Sequence, residues 1–272
     1  MRFGLDIAQQ RLEWEEIARR AMVAEDLGFD GVWGFDHFQP MYGEGPGPCF
    51  EGVTTLAGLA GLTSRVRLGL LDIGNTYRHP SVYAAQAITV DHASHGRFEL
   101  SLGAAWFERE HRALGLDFPP VGERMDRLEE ALQVIRGLLT TDGFTFEGAH
   151  YQVRDATLLP RPVQSPSIPI WIGGSGERRT MPIAAKYADV WHSFQSVEEM
   201  TRKSALLDRL AEEAGRDPAA IQRASSLSLD PPIDDVRRMI DAWTEIGFDY
   251  LVVGWPGSGQ QTVEAFAEAV LR

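Results

Sequence analysis

Cysteine is almost missing: the 272 residues contain one, Cys49, so no disulfide can close within the chain. Long apolar runs are missing too. Glycine or charge interrupts every hydrophobic stretch, which leaves nothing that would span a bilayer. Strand-like sequence begins at once with Arg2-Phe3-Gly4-Leu5, without a secretory leader, and the expectation is a cytoplasmic protein. Positive charge is in deficit, with 26 basic groups against 39 acidic ones and a formal charge of −13. That balance argues against nonspecific nucleic-acid binding, which needs a basic surface. It also means that an anionic cofactor would have to be held locally, by backbone amides and a few placed cations working against the overall field. Metal-binding spacings are lacking: there is no His-Glu-x-x-His and no cysteine cluster, and His92 and His95 fall near the end of a predicted helix that points away from the site. No Gly-x-Ser-x-Gly nucleophile elbow occurs. These absences predict no metal, no nucleic-acid partner and no membrane.

What the sequence does have is ordinary globular material, 44% hydrophobic and 24% charged. It has no low-complexity linker, tandem repeat or break in composition, so residues 1–272 are expected to form one domain. Strand-like and helix-like runs alternate along it. Strands are predicted over about 2–7, 31–35, 66–71, 98–102, 168–172, 189–193, 222–229 and 250–253. Helices are predicted over about 13–27, 51–62, 80–96, 122–139, 177–187, 197–214, 234–247 and 262–271. Gly28 suits a helix C-cap and Pro80 a helix start. A hairpin is predicted over 144–158. Eight strand–helix units give the count of a (β/α)8 TIM barrel, with an open doubly wound sheet as the alternative. Either fold places its ligand beyond the C-terminal strand ends. Insertions at about 104–121 and 141–167 would cover that mouth.

Four strand ends carry candidate chemistry. The second leads into Asp36-His37, where a histidine beside an acid can orient or exchange a proton, or simply cap loop backbone. The third leads into Asn75-Thr76, polar groups that face the mouth or make the turn into the next helix. The fourth leads into Ala104-Ala105-Trp106, two small residues that let a flat ligand approach the backbone and an aromatic that can wall it; small residues also suit any tight turn. The fifth leads into Gly173-Gly174-Ser175-Gly176, followed by Arg178 and Arg179. Three glycines around a serine at a helix start expose amides to an anion. This loop is neither a P-loop nor a Gly-x-Gly-x-x-Gly fingerprint.

Taken together, GFDHF at 34–38, GNTYRHP at 74–80, GRFELSLGAAWFEREHRALG at 96–115, EGAHYQV at 147–153, LLPRPVQ at 158–164 and IPIWIGGSGERRT with IAAKYADVW up to residue 191 resemble the luciferase-like monooxygenase superfamily. Within it they resemble the F420-dependent oxidoreductases of actinobacteria. The resemblance implies a barrel with a cofactor lying across its strand ends. Asp36 and His37 match the family's ring-side pair. Leu71-Asp72 matches the place of a non-prolyl cis peptide under the ring. Residues Gly173 to Gly176 match its phosphate-binding turn. In the glucose-6-phosphate dehydrogenase branch a glutamate follows the fourth strand as general acid. Here that position is Trp106, which argues against sugar-phosphate oxidation and leaves His37 as the candidate catalytic residue.

The function so implied is hydride transfer between coenzyme F420 and a small apolar organic substrate. Two alternatives stand beside it: a monooxygenase using reduced FMN, and a flavin-binding barrel without catalysis. The expected cofactor-binding set is Asp36, His37, Leu71, Asp72, Asn75, Ala104, Ala105, Trp106, Gly173, Gly174, Ser175 and Gly176. A homodimer is a family-level expectation. Phe118, Phe144, Phe146 and Tyr151 in the covering segments would line an apolar substrate site, or pack the insertions onto the barrel.

Overall fold

The structure, a computed structural model, describes residues 1–272. Along the chain the elements are β1 (Arg2–Asp6), α1 (Trp14–Leu27), β2 (Gly31–Gly34), α2 (Gly52–Ala60), β3 (Arg67–Leu70), α3 (Pro80–Ala93), β4 (Leu100–Leu102), α4 (Glu108–Leu114), α5 (Val121–Thr140), β5 (Phe144–Glu147), β6 (Gln152–Ala156), β7 (Ile170–Gly173), α6 (Thr180–Tyr187), β8 (Val190–His192), α7 (Val197–Glu213), β9 (Gln222–Leu227), α8 (Ile233–Glu245), β10 (Tyr250–Gly254) and α9 (Gln260–Phe266). Eight strands pair in parallel in the order β3-β2-β1-β10-β9-β8-β7-β4. Parallel bridges between Leu68 and Phe98 and between Gly74 and Gly103 join the two end strands and close a barrel. The open-sheet alternative is thereby removed, and the expected (β/α)8 architecture stands.

Each βα unit follows from local chemistry. In α1 the residues Ile17, Ala18, Ala21 and Ala24 are buried at helical spacing, and Gly28 ends the helix at φ 97°, where a side chain would be strained. Pro80 opens α3. The barrel interior is plugged at its N-terminal end. Trp33, Trp171 and Tyr250 pack there with Val190, Ala224 and Val252; the two indoles lie 4.2 Å apart and Trp33 donates to the Tyr250 hydroxyl at 3.1 Å. Glycine at position 69 makes room for this layer, since a Cβ there would stand 2.3 Å from the Trp33 ring. A ligand can therefore enter only at the opposite, C-terminal mouth.

Two local readings are corrected. The connection after β4 contains a helix, α4, that apolar periodicity does not reveal, because its buried residues are Glu110 and His111. The helix expected from about Glu177 starts at Thr180 instead, so the glycine loop is longer than its sequence suggests.

The hairpin lies outside the barrel as expected: β5 and β6 pair antiparallel in a separate sheet. It is fastened to α5. The Glu130 carboxylate accepts from the amides of Ala149, His150 and Tyr151 at 2.8, 2.9 and 3.0 Å. Phe144 lies over Gly137, where a Cβ would stand 2.1 Å from the ring. Alanine favours a helix over glycine by about 1 kcal/mol, whereas overpacking a filled site costs about 1–3 kcal/mol. At so short a distance the ring must leave its seat, so the overpacking outweighs the propensity. Gly137→Ala is expected to lower the urea midpoint despite the better helix former. A raised midpoint would mean that Phe144 swings aside freely.

No helix is long and apolar enough to cross a membrane.

Candidate functional site

The ends of β2, β3, β4 and β7 converge on a cavity of about 700 Å³. Its floor and near wall are Leu71, Asp72, Ile73, Gly74, Gly103, Ala104, Ala105, Gly173 and Gly174, so the backbone itself is the surface a ligand would meet. Trp106, Phe118, Val121, Met125 and Phe194 supply apolar wall and rim. Leu71 and Asp72 are joined by a cis peptide bond, as the family resemblance implied.

His37 lines this cavity, and a buried acid holds it. Its Nδ1 lies 3.2 Å from Glu110 Oε2 and 3.3 Å from the Tyr77 hydroxyl. Tyr77 donates to the same Glu110 oxygen at 2.5 Å. The other oxygen, Oε1, accepts from the backbone amides of Phe38 and Gln39 at 2.7 and 2.8 Å. Burial alone would push the Glu110 carboxyl up; the hydrogen bonds from His37, Tyr77 and the two amides outweigh it and hold the carboxyl below the usual carboxylate range. An ionised carboxylate only accepts, so Nδ1 carries a proton and Nε2 is the variable nitrogen. No protein group takes up Nε2. Sequence inspection missed Glu110 and Tyr77. Their one signal is Glu110 at an inward position of a short helix, readable only once that helix is known.

Asp36, paired with His37 in the expected set, does different work. Its carboxylate is wholly buried and bound to Arg78 through two contacts at 2.6 and 2.9 Å, and it also accepts from the Gly74 amide at 3.3 Å. Arg78 in turn reaches Glu51 at 2.6 Å. With its oxygens so committed, Asp36 braces the loop after β3 beneath the cavity and offers a ligand little. Asn75 is also drawn away: its amide group donates to the Tyr151 hydroxyl at 3.2 Å, tying the hairpin to the barrel, and it does not line the cavity.

The glycine loop divides. Gly173 and Gly174 line the cavity; Ser175 and Gly176 do not. The Gly174 amide is already given to the His192 carbonyl at 2.9 Å, and its own carbonyl accepts from Trp191 Nε1 at 2.8 Å. The amides of Ser175 and Gly176 have no protein acceptor. Of the nearby cations, Lys203 is buried, donates to the Ser175 carbonyl at 2.9 Å and lies 3.4 Å from Glu199; Arg179 is turned to Asp126 at 2.5 Å; Arg178 is exposed and has no protein partner. Between Gly173 and Gly176, any anion-holding amides are therefore those of Ser175 and Gly176.

The covering segments are also unequal. Phe118 and Val121 from the first reach the cavity, and no residue of 141–167 does. Phe144 and Phe146 pack against the core instead, and Tyr151 is buried. A second cavity, about 310 Å³, opens beyond β1, β9 and β10 and is lined by Asp6, Ser226, Ser228, Asp230 and Trp255. No motif marked it. Beside it lies His192, whose Nε2 is 3.1 Å from Ser226 Oγ; burial pulls its pKa down to about 4, so it is neutral near pH 7.

The family profile described as luciferase-like monooxygenase matches residues 1–246. Among curated relatives, an F420-dependent glucose-6-phosphate dehydrogenase of Microbacterium testaceum (strain StLB037) is 35% identical over 181 residues, covering 66% of this chain and 53% of the relative. An FMNH(2)-dependent dimethylsulfone monooxygenase of Pseudomonas putida is 30% identical over 186 residues, covering 68% of this chain and 50% of the relative. The chain thus spans about half the length of the curated relatives it matches. Among solved structures, an F420-dependent secondary alcohol dehydrogenase in complex with an F420-acetone adduct superposes with a TM-score of 0.87 at 18% identity, covering 99% of this chain and 98% of the other, a likeness of fold.

Proposed function

The chain belongs to the luciferase-like monooxygenase family, and from that premise we propose that it is an F420-dependent oxidoreductase acting on a small apolar organic substrate. The observation that carries this reading is His37, held by Glu110 through Nδ1 with Nε2 left to the cavity. A deazaflavin supplies a hydride equivalent, and the accompanying proton then needs a donor or acceptor in the protein. His37 is that group in this cavity, and Glu110 sets its tautomer and orientation.

The cavity suits a flat heterocycle. Gly103, Ala104, Ala105, Gly173 and Gly174 present backbone without bulk, and Trp106 stands as a wall. The free amides of Ser175 and Gly176, with Lys203 behind them, would hold a phosphate at the cavity's edge. Leu71, Ile73, Phe118, Val121, Met125 and Phe194 add apolar lining, which favours an apolar substrate. One arginine, Arg124, reaches the cavity, and it is spent: it donates to the carbonyls of Ala104, Ala105 and Pro119, and its guanidinium lies 3.9 Å from the Phe118 ring centre. With no free cation among the residues that line the cavity, and Trp106 where one branch of the family carries its acid, a sugar phosphate is a poor fit.

Titration of the purified protein with F420 and with FMN, each followed by fluorescence, tests the reading. One-to-one binding of F420 with no FMN binding is expected. Binding of FMN alone would replace the proposal with reduced-FMN monooxygenation, as in the Pseudomonas relative. Binding of F420 with no turnover across a panel of enones, imines and ketones would leave a flavin-binding barrel without catalysis.

A further inference from the structure

Three carboxyl groups line the main cavity, and only Asp72 has nothing to neutralise it. Asp36 is bound to Arg78, and Glu108 to Arg112 at 2.7 Å. Asp72 extends from the end of β3 over the ends of β4 and β7. A Cβ at position 173 would stand 1.5 Å from Asp72 Oδ2, and one at position 103 would stand 3.5 Å from Asp72 Cβ. Glycine at 173 is thus what gives the carboxyl its place. Its Oδ1 is closed off from solvent and has no hydrogen-bond partner.

The groups around it are all engaged elsewhere. On the β2 and β3 sides, Asp36 and Arg78 hold each other, and His37 and Tyr77 face Glu110. From α3, Tyr83 donates to the Ser101 carbonyl at 3.1 Å. At the rim, Arg124 is held by the Ala104 and Ala105 carbonyls, and from β8, His192 turns to Ser226. An unpaired buried carboxylate is costly, and burial accordingly pushes the Asp72 pKa up to about 8. At neutral pH the side chain is a carboxylic acid, which donates a hydrogen bond.

We propose that Asp72 acts as a neutral hydrogen-bond donor on the cavity floor, directed at a carbonyl oxygen or ring acceptor atom of the bound redox pair. This rests on the reading of the cavity as the site of F420 and substrate. The acceptor belongs either to the cofactor's heterocycle or to a substrate carbonyl, and either gains negative charge when it receives a hydride. A neutral acid on the cavity floor stabilises that charge without bringing its own, and no proton need leave the carboxyl.

Two comparisons of wild type with Asp72→Asn test this. The first uses no ligand. The folded pKa lies above the ordinary carboxyl value, so the contribution of Asp72 to stability is fully present below about pH 4 and is lost as pH rises toward 8. Urea unfolding should therefore show wild type losing stability relative to Asp72→Asn across that window, then levelling. The second measures dissociation constants between pH 6 and 10, for F420 alone and then for a simple ketone added to the F420-loaded protein. Relative to Asp72→Asn, the wild-type constant should climb about tenfold per pH unit above pH 8. A climb in the F420 titration assigns the acceptor to the cofactor; a climb confined to the ketone titration assigns it to the substrate. Parallel profiles of the two proteins in both titrations overturn the proposal. If FMN binds and F420 does not, the F420 reading fails, and the same pH comparison made with FMN decides the role of Asp72. Binding of neither cofactor overturns both.

Discussion

His37→Ala is expected to lower kcat by about 10²–10⁴-fold, the span usual for loss of a general acid or base. The reason is positional. Nδ1 is fixed against Glu110 at 3.2 Å, so the ring cannot turn that nitrogen toward the cavity, and proton exchange falls to Nε2. Alanine removes that nitrogen and leaves the strand ends and the glycine loop in place. F420 affinity should therefore change much less than kcat. The competing role is packing: the His37 ring lies 5.7 Å from Trp106 and 5.3 Å from Phe107, both edge-on. If packing is its whole contribution, the variant will bind F420 poorly and turn over normally once saturated. The dissociation constant and the saturated kcat, measured on one preparation, separate the two roles. A near-normal saturated kcat would strike His37 from the mechanism.

Glu110→Ala should be among the most destabilising single changes in the chain, at about 3–5 kcal/mol. Its side chain is wholly buried, and its two oxygens serve the Phe38 and Gln39 amides, the Tyr77 hydroxyl and His37. Removing the carboxylate strands several donors at once in a place water cannot easily reach. The size of the effect should depend on pH. The folded pKa is depressed, so the contribution is present above the ordinary carboxylate range and is lost as pH falls through it. Urea unfolding of wild type and Glu110→Ala should give a full gap at pH 7 that narrows on acidification. A gap below about 1 kcal/mol at pH 7 would mean that the backbone relaxes to satisfy itself, and that Glu110 positions nothing. Because Glu110 also sets the orientation of His37, the variant should lose kcat even where it remains folded.

Several elements could be read directly from residue order. Strand–helix alternation, the Gly28 cap, the Pro80 start and the hairpin over 144–158 depend on neighbours a few positions apart, and backbone periodicity reports such neighbours. The segments at the strand ends could be found the same way, because a parallel barrel puts its ligand there whatever the loops contain. Within those segments, though, residue type did not decide use. Asp36 and His37 are adjacent in sequence, yet one serves Arg78 and the other the cavity. Gly174 and Gly176 look alike in the loop, yet only the first gives its amide away, to His192 across the neighbouring strand.

The sequence by itself thus determined the eight strand–helix units, the family resemblance and the strand ends where chemistry would sit, while closure of the barrel came from the bridges between β3 and the β4 segment. Only the tertiary structure decided which groups meet there. Glu110 comes to His37 from 73 residues away, on a helix without an apolar stripe to announce it, and Asp72 finds its place through glycine on another strand. The physical reason is that barrel closure and strand register bring together side chains distant in sequence, and a buried polar group takes its role from the partner it finds. That partner is set by three-dimensional proximity, which local periodicity does not encode.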